Sequence, residues 1–256
     1  MIKFFRKIRQ NMIKENRVSK YMLYAIGEII LVVIGILIAL QINNNNEAKK
    51  TREKELHYLK NIKTDLELTI QELDQFINDR NNQIAAAGRI LEHYEGKPIE
   101  NVNAFNKDIV DIYTWQRFFQ VNNTFQELTN SGNLAIISND SIKNGLLNIE
   151  ALYKKIKYNE DHFRYDAEVT LYEPSYSMLD IYPISKNYFH QLTNGQMGEL
   201  VELEKKDFEL MLTDLKQKNG FAFAVLEFTT MNGRFEEMKT LANNLIHVIN
   251  NDITND

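Results

Sequence analysis

The longest apolar run in the chain, residues 21–42, reads YMLYAIGEIILVVIGILIALQI and holds one charge, Glu28. At about 1.5 Å of rise per residue, those 22 residues cover the roughly 30 Å hydrocarbon layer of a bilayer. A cleavable signal peptide has a shorter apolar region, about 7–15 residues, followed by small residues at its cleavage site. Here Leu40, Gln41 and Ile42 lead into four asparagines. The pattern predicts an uncleaved signal anchor, a transmembrane helix over 21–42.

Beyond the asparagines the apolar positions take the spacing of amphipathic helices. Leu59, Leu66, Leu73, Ala87 and Tyr94 recur at seven-residue steps, with Ile62, Phe76 and Ile90 at intermediate positions. Such a seam predicts one long helix over about 47–95, able to run on from the span and to pack in a bundle or a coiled coil. Thr69, Arg80 and Gln83 interrupt it, and Gly96, Lys97 and Pro98 end it. A second helix is expected over about 102–118, where Phe105, Ile109, Ile112 and Tyr113 share a face. A short third is signalled by Asn123 with Gln126, a capping pattern, and by Gly132 as terminator. Asn139 or Asp140 starts a fourth, running to about Val169 with Ile142, Leu146, Ile149, Tyr153 and Ile156 inward. A tyrosine-rich break is expected over 174–183, a turn over 195–198, and helices over about 199–217 and 220–251. In the last, Phe221, Phe228, Phe235, Ala242 and Ile249 step by seven, with Ala224, Met231, Met238 and Leu245 between them. A stripe of that spacing is more often a domain's own core than a partner groove. The fold class is all-α: an N-terminal transmembrane helix, then a long helix and an extracytoplasmic bundle of five to seven helices within 43–256.

Composition supports helix: there are three prolines in 256 residues. Charge adds direction. Residues 1–20 carry seven Lys or Arg against one Glu, a net +6, which leaves −11 for the rest of a chain whose total is −5. Short basic flanks stay in the cytoplasm, so Lys3, Arg6, Lys7, Arg9, Lys14, Arg17 and Lys20 predict a cytoplasmic N-terminus. The bulk is then exported, which in a bacterium with two membranes means the periplasm, tethered to the inner membrane. An acidic body is poorly suited to nucleic acid, and that class is excluded. Phe4, Phe5, Ile8 and Met12 alternate with Lys3, Arg6, Lys7 and Arg9. This suits either a segment lying on anionic inner-membrane lipid or a plain topology signal.

Within the span, a carboxylate costs about 2.5–3.5 kcal/mol at a helix centre and usually faces a partner or water. Glu28 is therefore a candidate helix-pairing residue, although seven residues in from Tyr21 it can also be protonated or reach the headgroups. Gly27, Gly35 and Ala39 lie eight and four residues apart on one face, where two spans could approach closely.

Residues 1–46, opening MIKFFRKIRQ and continuing SKYMLYAIGEIILVVIGILIALQIN, resemble the start of a family of uncharacterised single-pass membrane proteins from Bacteroidetes, catalogued as a domain of unknown function. The likeness extends to Leu59, Ile62, Asp65 and Leu66, and more weakly from Phe125, Gln126, Glu127 and Leu128 through Gly132 to Ile137. The C-terminal third carries none, and Asn45 stands where an aromatic residue is expected. The resemblance implies a location and an organism group, and no activity.

Chemistry-bearing motifs are scarce. Walker A, GxGxxG, GxSxG, HExxH and EF-hand patterns are absent, and there is no cysteine. No histidine follows a glutamate by three, as a carboxylate-bridged di-iron bundle requires. His162 and Asp166, with Glu160 or Asp161, form the one constellation spaced to seed a metal site, and a solvated helix face is the better reading. Trp115 with Arg117, Phe118 and Phe119, and Tyr172 with Tyr176 and Tyr182, are aromatic concentrations better read as bundle filling than as pockets. The expectation is no enzyme and no cofactor: a membrane-anchored structural or protein-interaction module with a protein partner or a homo-oligomer. The alternative is a periplasmic ligand-sensing subunit, which would signal through a partner because the cytoplasmic side offers only about 20 residues.

Overall fold

The computed structural model describes residues 18–254, all of whose regular structure is helical. The chain divides into two compact units, residues 1–57 and 58–256.

In the first unit the described residues belong to α1 (Val18–Tyr94), a helix whose later part enters the second unit. The apolar span and the long helix expected from about 47 are one continuous helix from Val18: the asparagines do not interrupt it. Asparagine is a poor helix former, costing about 0.5 kcal/mol against alanine, but it keeps its N–H and does not break the ladder. Side chains one turn apart link across the junction, with Gln41 Nε2 donating to Asn45 Oδ1 (3.1 Å) and Lys50 pairing with Glu47 (3.0 Å).

The second unit is a bundle of α2 (Val102–Tyr113), α3 (Asn123–Asn130), α4 (Asp140–Ala167), α5 (Glu173–Met178), α6 (Ile181–Leu192), α7 (Glu209–Thr213) and α8 (Leu215–Thr254), with the remainder of α1. The seam residues Leu59, Ile62, Leu66, Leu73, Ala87 and Ile90 are buried, so the bundle's own core takes up the heptad face. The stripe of α8 from Phe221 to Ile249 is buried as well, chiefly against Ile142, Leu146, Ile149, Ile156 and Phe163 of α4. Aromatic rings lock the centre. Phe163 and Phe228 meet edge to face at 4.6 Å with Trp115 beside them, and Phe118 lies 5.5 Å from both Phe76 and Phe235.

Several boundaries differ from expectation. α2 stops at Tyr113, not near 118, because residues 114–122 run as an irregular segment held by side chains of α1. α3 begins one residue earlier than the Asn123 pattern implied: Asn122 is its N-cap, but that side chain bonds Gln126 Nε2 (2.9 Å) and caps no backbone. Asp65 of α1 accepts from Thr124 N (2.8 Å) and does the capping across the bundle. Gly132, in the left-handed region at φ +71°, stands two residues past the last residue of α3 and terminates that helix as expected.

The break expected over 174–183 shrinks to Leu179 and Asp180. After α4 the chain widens into a π-turn, Glu168–Tyr172, and Pro174 sits in the first turn of α5, where its missing N–H is harmless. Asp180 then caps α6, with Pro183 in its first turn. No continuous helix forms over 199–217. That stretch holds a 3-10 turn (Lys205–Phe208), the five-residue α7 and the first residues of α8, which starts at Leu215.

Candidate functional site

The apolar part of α1 is the first candidate. Its best 18-residue window has a mean hydropathy of 2.7, and none of that window is buried; by length and composition it is apolar enough to cross a membrane. Gly27 and Gly35 have nothing within 4 Å of where a Cβ would stand, and Ala39 is exposed. The small-residue face is thus bare, with Glu28 half-buried beside it. Lys3, Arg6, Lys7 and Arg9 lie outside the described residues.

The second candidate grows from the three polar residues that interrupt the seam. A polar side chain at a core position must find a partner or leave a costly orphan. Thr69 donates to Val121 O (3.0 Å), Gln83 Nε2 to Asp111 O (2.8 Å), and Arg80 Nη2 to Gln116 O. Each therefore grips a carbonyl at the end of α2 or in the irregular segment after it, supplying bonds that a longer α2 would have made internally. Glu160 of α4, fully buried, completes the grip by accepting from Phe118 N (2.7 Å) and pairing with Lys157 (2.9 Å).

Arg80 is only 2% exposed, yet among the described residues no carboxylate contacts it. Nη1 donates to Gln83 Oε1 (2.7 Å), and the guanidinium lies 4.6 Å from the Phe228 ring centre and 5.2 Å from that of Trp115. Nε is buried without a partner. Burial pushes the arginine down to about 10, against the opposing fields of Glu160 and Asp79.

Arg80 and Gln83 also line a polar cleft of about 790 Å³ walled by α1, α2, the irregular segment and α6. On its rim Arg89 forms a two-pronged pair with Asp108 (2.7 and 2.6 Å), and Lys107 pairs with Asp111. The Tyr188 hydroxyl donates to Asp111 Oδ1 (3.0 Å), and burial raises that tyrosine above its ordinary value. Phe76, Phe189 and Leu192 add apolar wall.

The other constellations do not assemble. His162 Nδ1 lies 3.4 Å from Asp166 and 3.9 Å from Glu227, but Glu160 is committed to Phe118 and Lys157, and Asp161 pairs with Arg117 (2.7 Å). Among the described residues no group of three potential ligands could hold a metal ion. Phe118 is core, whereas Phe119 is exposed beneath Lys157. Tyr172 donates to Tyr113 O (3.1 Å), while Tyr176 and Tyr182 face solvent, so the three form no pocket.

A family model matches residues 28–179, more than half of the chain. The chain belongs to DUF6090, a family of unknown function. The DUF6090 match opens at Glu28 and takes in Gly35, Ala39, the seam and its three polar residues, and the irregular segment they grip. It closes at Leu179, so Tyr188, Phe189 and Leu192 of the cleft fall beyond it. No curated protein and no solved structure matches the chain.

The cleft was missed in the sequence because its charged groups come from two separated segments, α1 and α2, and its apolar wall from a third, α6. The available signal was Arg80 itself, a cation at a heptad position that the pattern reserves for leucine.

Proposed function

We propose that this DUF6090 protein is a membrane-anchored helical module with a structural or protein-binding role and no catalysis of its own. In this reading α1 crosses a bacterial inner membrane with its N-terminus in the cytoplasm. The unit at residues 58–256 works in the periplasm on a protein partner or a second copy of the chain. One observation carries it: an 18-residue window of mean hydropathy 2.7, wholly unburied, in the helix whose later residues supply a bundle's seam. Apolar surface of that extent needs lipid or another helix around it. Orientation rests on the seven cations ahead of the span, and the bacterial group on the N-terminal resemblance.

The test is gentle solubilisation of the full chain followed by measurement of its mass and of co-purifying proteins. A homo-oligomer or a stoichiometric partner is expected, and Glu28→Gln should reduce it while membrane insertion persists. A monomer with no partner would refute the interaction role; release by alkaline washing of vesicles would refute the anchor.

The polar cleft favours a second reading, in which the same unit senses a small ligand and passes the signal to a partner. Metabolite retained on the purified protein is the outcome that would select it.

A further inference from the structure

We propose that the cleft at Arg80 is a binding site for a small organic anion bearing a carboxylate or a phosphate ester. This goes beyond the membrane reading and does not depend on it, since every lining residue lies within 58–256.

The argument starts from charge. Arg80 is 2% exposed, its hydrogen-bond partners Gln83 and Gln116 O are neutral, and among the described residues no carboxylate is in contact. Removing a cation from water is costly unless an opposite charge lies against it. A desolvated charge in a cleft marks a candidate ligand site, and a guanidinium matches the paired oxygens of a carboxylate or phosphate. One donor, Nε, remains unused. The cleft that Arg80 lines holds about 790 Å³, within the range of small-molecule sites. Of the cations in its lining, Arg89 and Lys107 already pair with Asp108 and Asp111, which leaves the charge of Arg80 unmet by contact among the described residues, with Asp79 the other acid of the lining. Gln75, Asn82, Gln83 and Gln116 offer amides for further oxygens, and Phe189 with Leu192 offers a wall for a carbon skeleton.

Calorimetric titration of the full chain in non-ionic detergent tests the proposal with citrate, glucose 6-phosphate and glucose. Binding of citrate or glucose 6-phosphate, with glucose inert, is expected; the acid that binds identifies whether carboxylate or phosphate is preferred. If neither anion binds at millimolar concentration, the proposal fails. Arg80→Met should abolish binding. Because that variant also loses core contacts, a second pair sits on the exposed wall, where Leu192 is 53% accessible. Leu192→Glu should weaken the anion by about fivefold or more and Leu192→Lys should strengthen it, the effect of one unit charge about 8 Å away at a protein surface. Equal affinities in the two variants would mean that the anion binds elsewhere and would overturn the assignment.

Discussion

Phe228 is the residue whose loss should cost the bundle most. It is fully buried on α8, packs edge to face on Phe163 at 4.6 Å, touches the Trp115 ring at 6.5 Å between centres, and has the Arg80 guanidinium 4.6 Å above it. Truncating a buried phenylalanine to alanine removes its transfer energy and leaves a cavity, together about 3–5 kcal/mol. Here the same change strips Arg80 of an aromatic face in a dry setting, worth about 1–2 kcal/mol more where the two effects add. Phe228→Ala should therefore lose about 4–7 kcal/mol, a large share of the roughly 5–15 kcal/mol that holds a domain folded. Urea unfolding of the full chain in detergent, followed by fluorescence, reads this directly, because Trp115 is the chain's single tryptophan and lies in that cluster. With a slope of about 2 kcal/mol per molar urea, the midpoint should fall by about 2–3.5 M. Phe223→Ala is the internal control: the same residue type on the same helix, 41% exposed, expected to lose no more than about 1 kcal/mol. Equal losses for the two, or a Phe228→Ala midpoint within about 0.5 M of wild type, would refute the packing described.

Gly220 of α8 sits where a Cβ would stand 2.5–2.7 Å from Leu171 and Thr170 of the π-turn, whereas one at Gly233 meets nothing within 4 Å. Gly233→Ala should stabilise by about 0.5–1 kcal/mol through helix propensity, while Gly220→Ala should lose that gain and more to overpacking; equal midpoint shifts would contradict the close approach. Thr69→Val deletes the bond to Val121 O and should cost about 1–2 kcal/mol by urea midpoint, with no change counting against the grip on the irregular segment. Burial raises Tyr94, Tyr113 and Tyr172 above their ordinary 10.0, so the fold favours the neutral phenols. That contribution is complete below about pH 10 and is lost as pH rises further, outweighing the opposite pull of the single lowered Arg80. The urea midpoint should thus fall between about pH 9 and about pH 11, and a rising midpoint would show the tyrosines to be accessible.

How much of this was legible in the sequence depends on how far each cause reaches along the chain. The apolar helix could be read almost completely, because its length and composition require no tertiary contact. The seams of α1 and α8 were equally plain, since a seven-residue repeat reports a buried face whatever covers it. What escaped was decided by residues far apart. Asp65 caps α3 from 59 positions away, so the local Asn123 and Gln126 pattern suggested the wrong first residue. Pro174 looked like a breaker, but the π-turn before it delivers the chain so that the ring falls in a first turn.

The end of α2 is the most instructive case. Trp115 and Phe118 are spaced as if the helix ran on, and only Thr69, Gln83 and Arg80, 28 to 52 residues upstream of the carbonyls they hold, make an irregular path affordable there. The residues discounted as interruptions of one helix are therefore the ones that terminate another. Arg80 carries the same logic into the cleft. Threonine and glutamine at seam positions are satisfied once they reach a carbonyl. A guanidinium in the same place still holds a charge that no neighbouring side chain neutralises by contact, and the space beside it is where a neutralising group has room to enter.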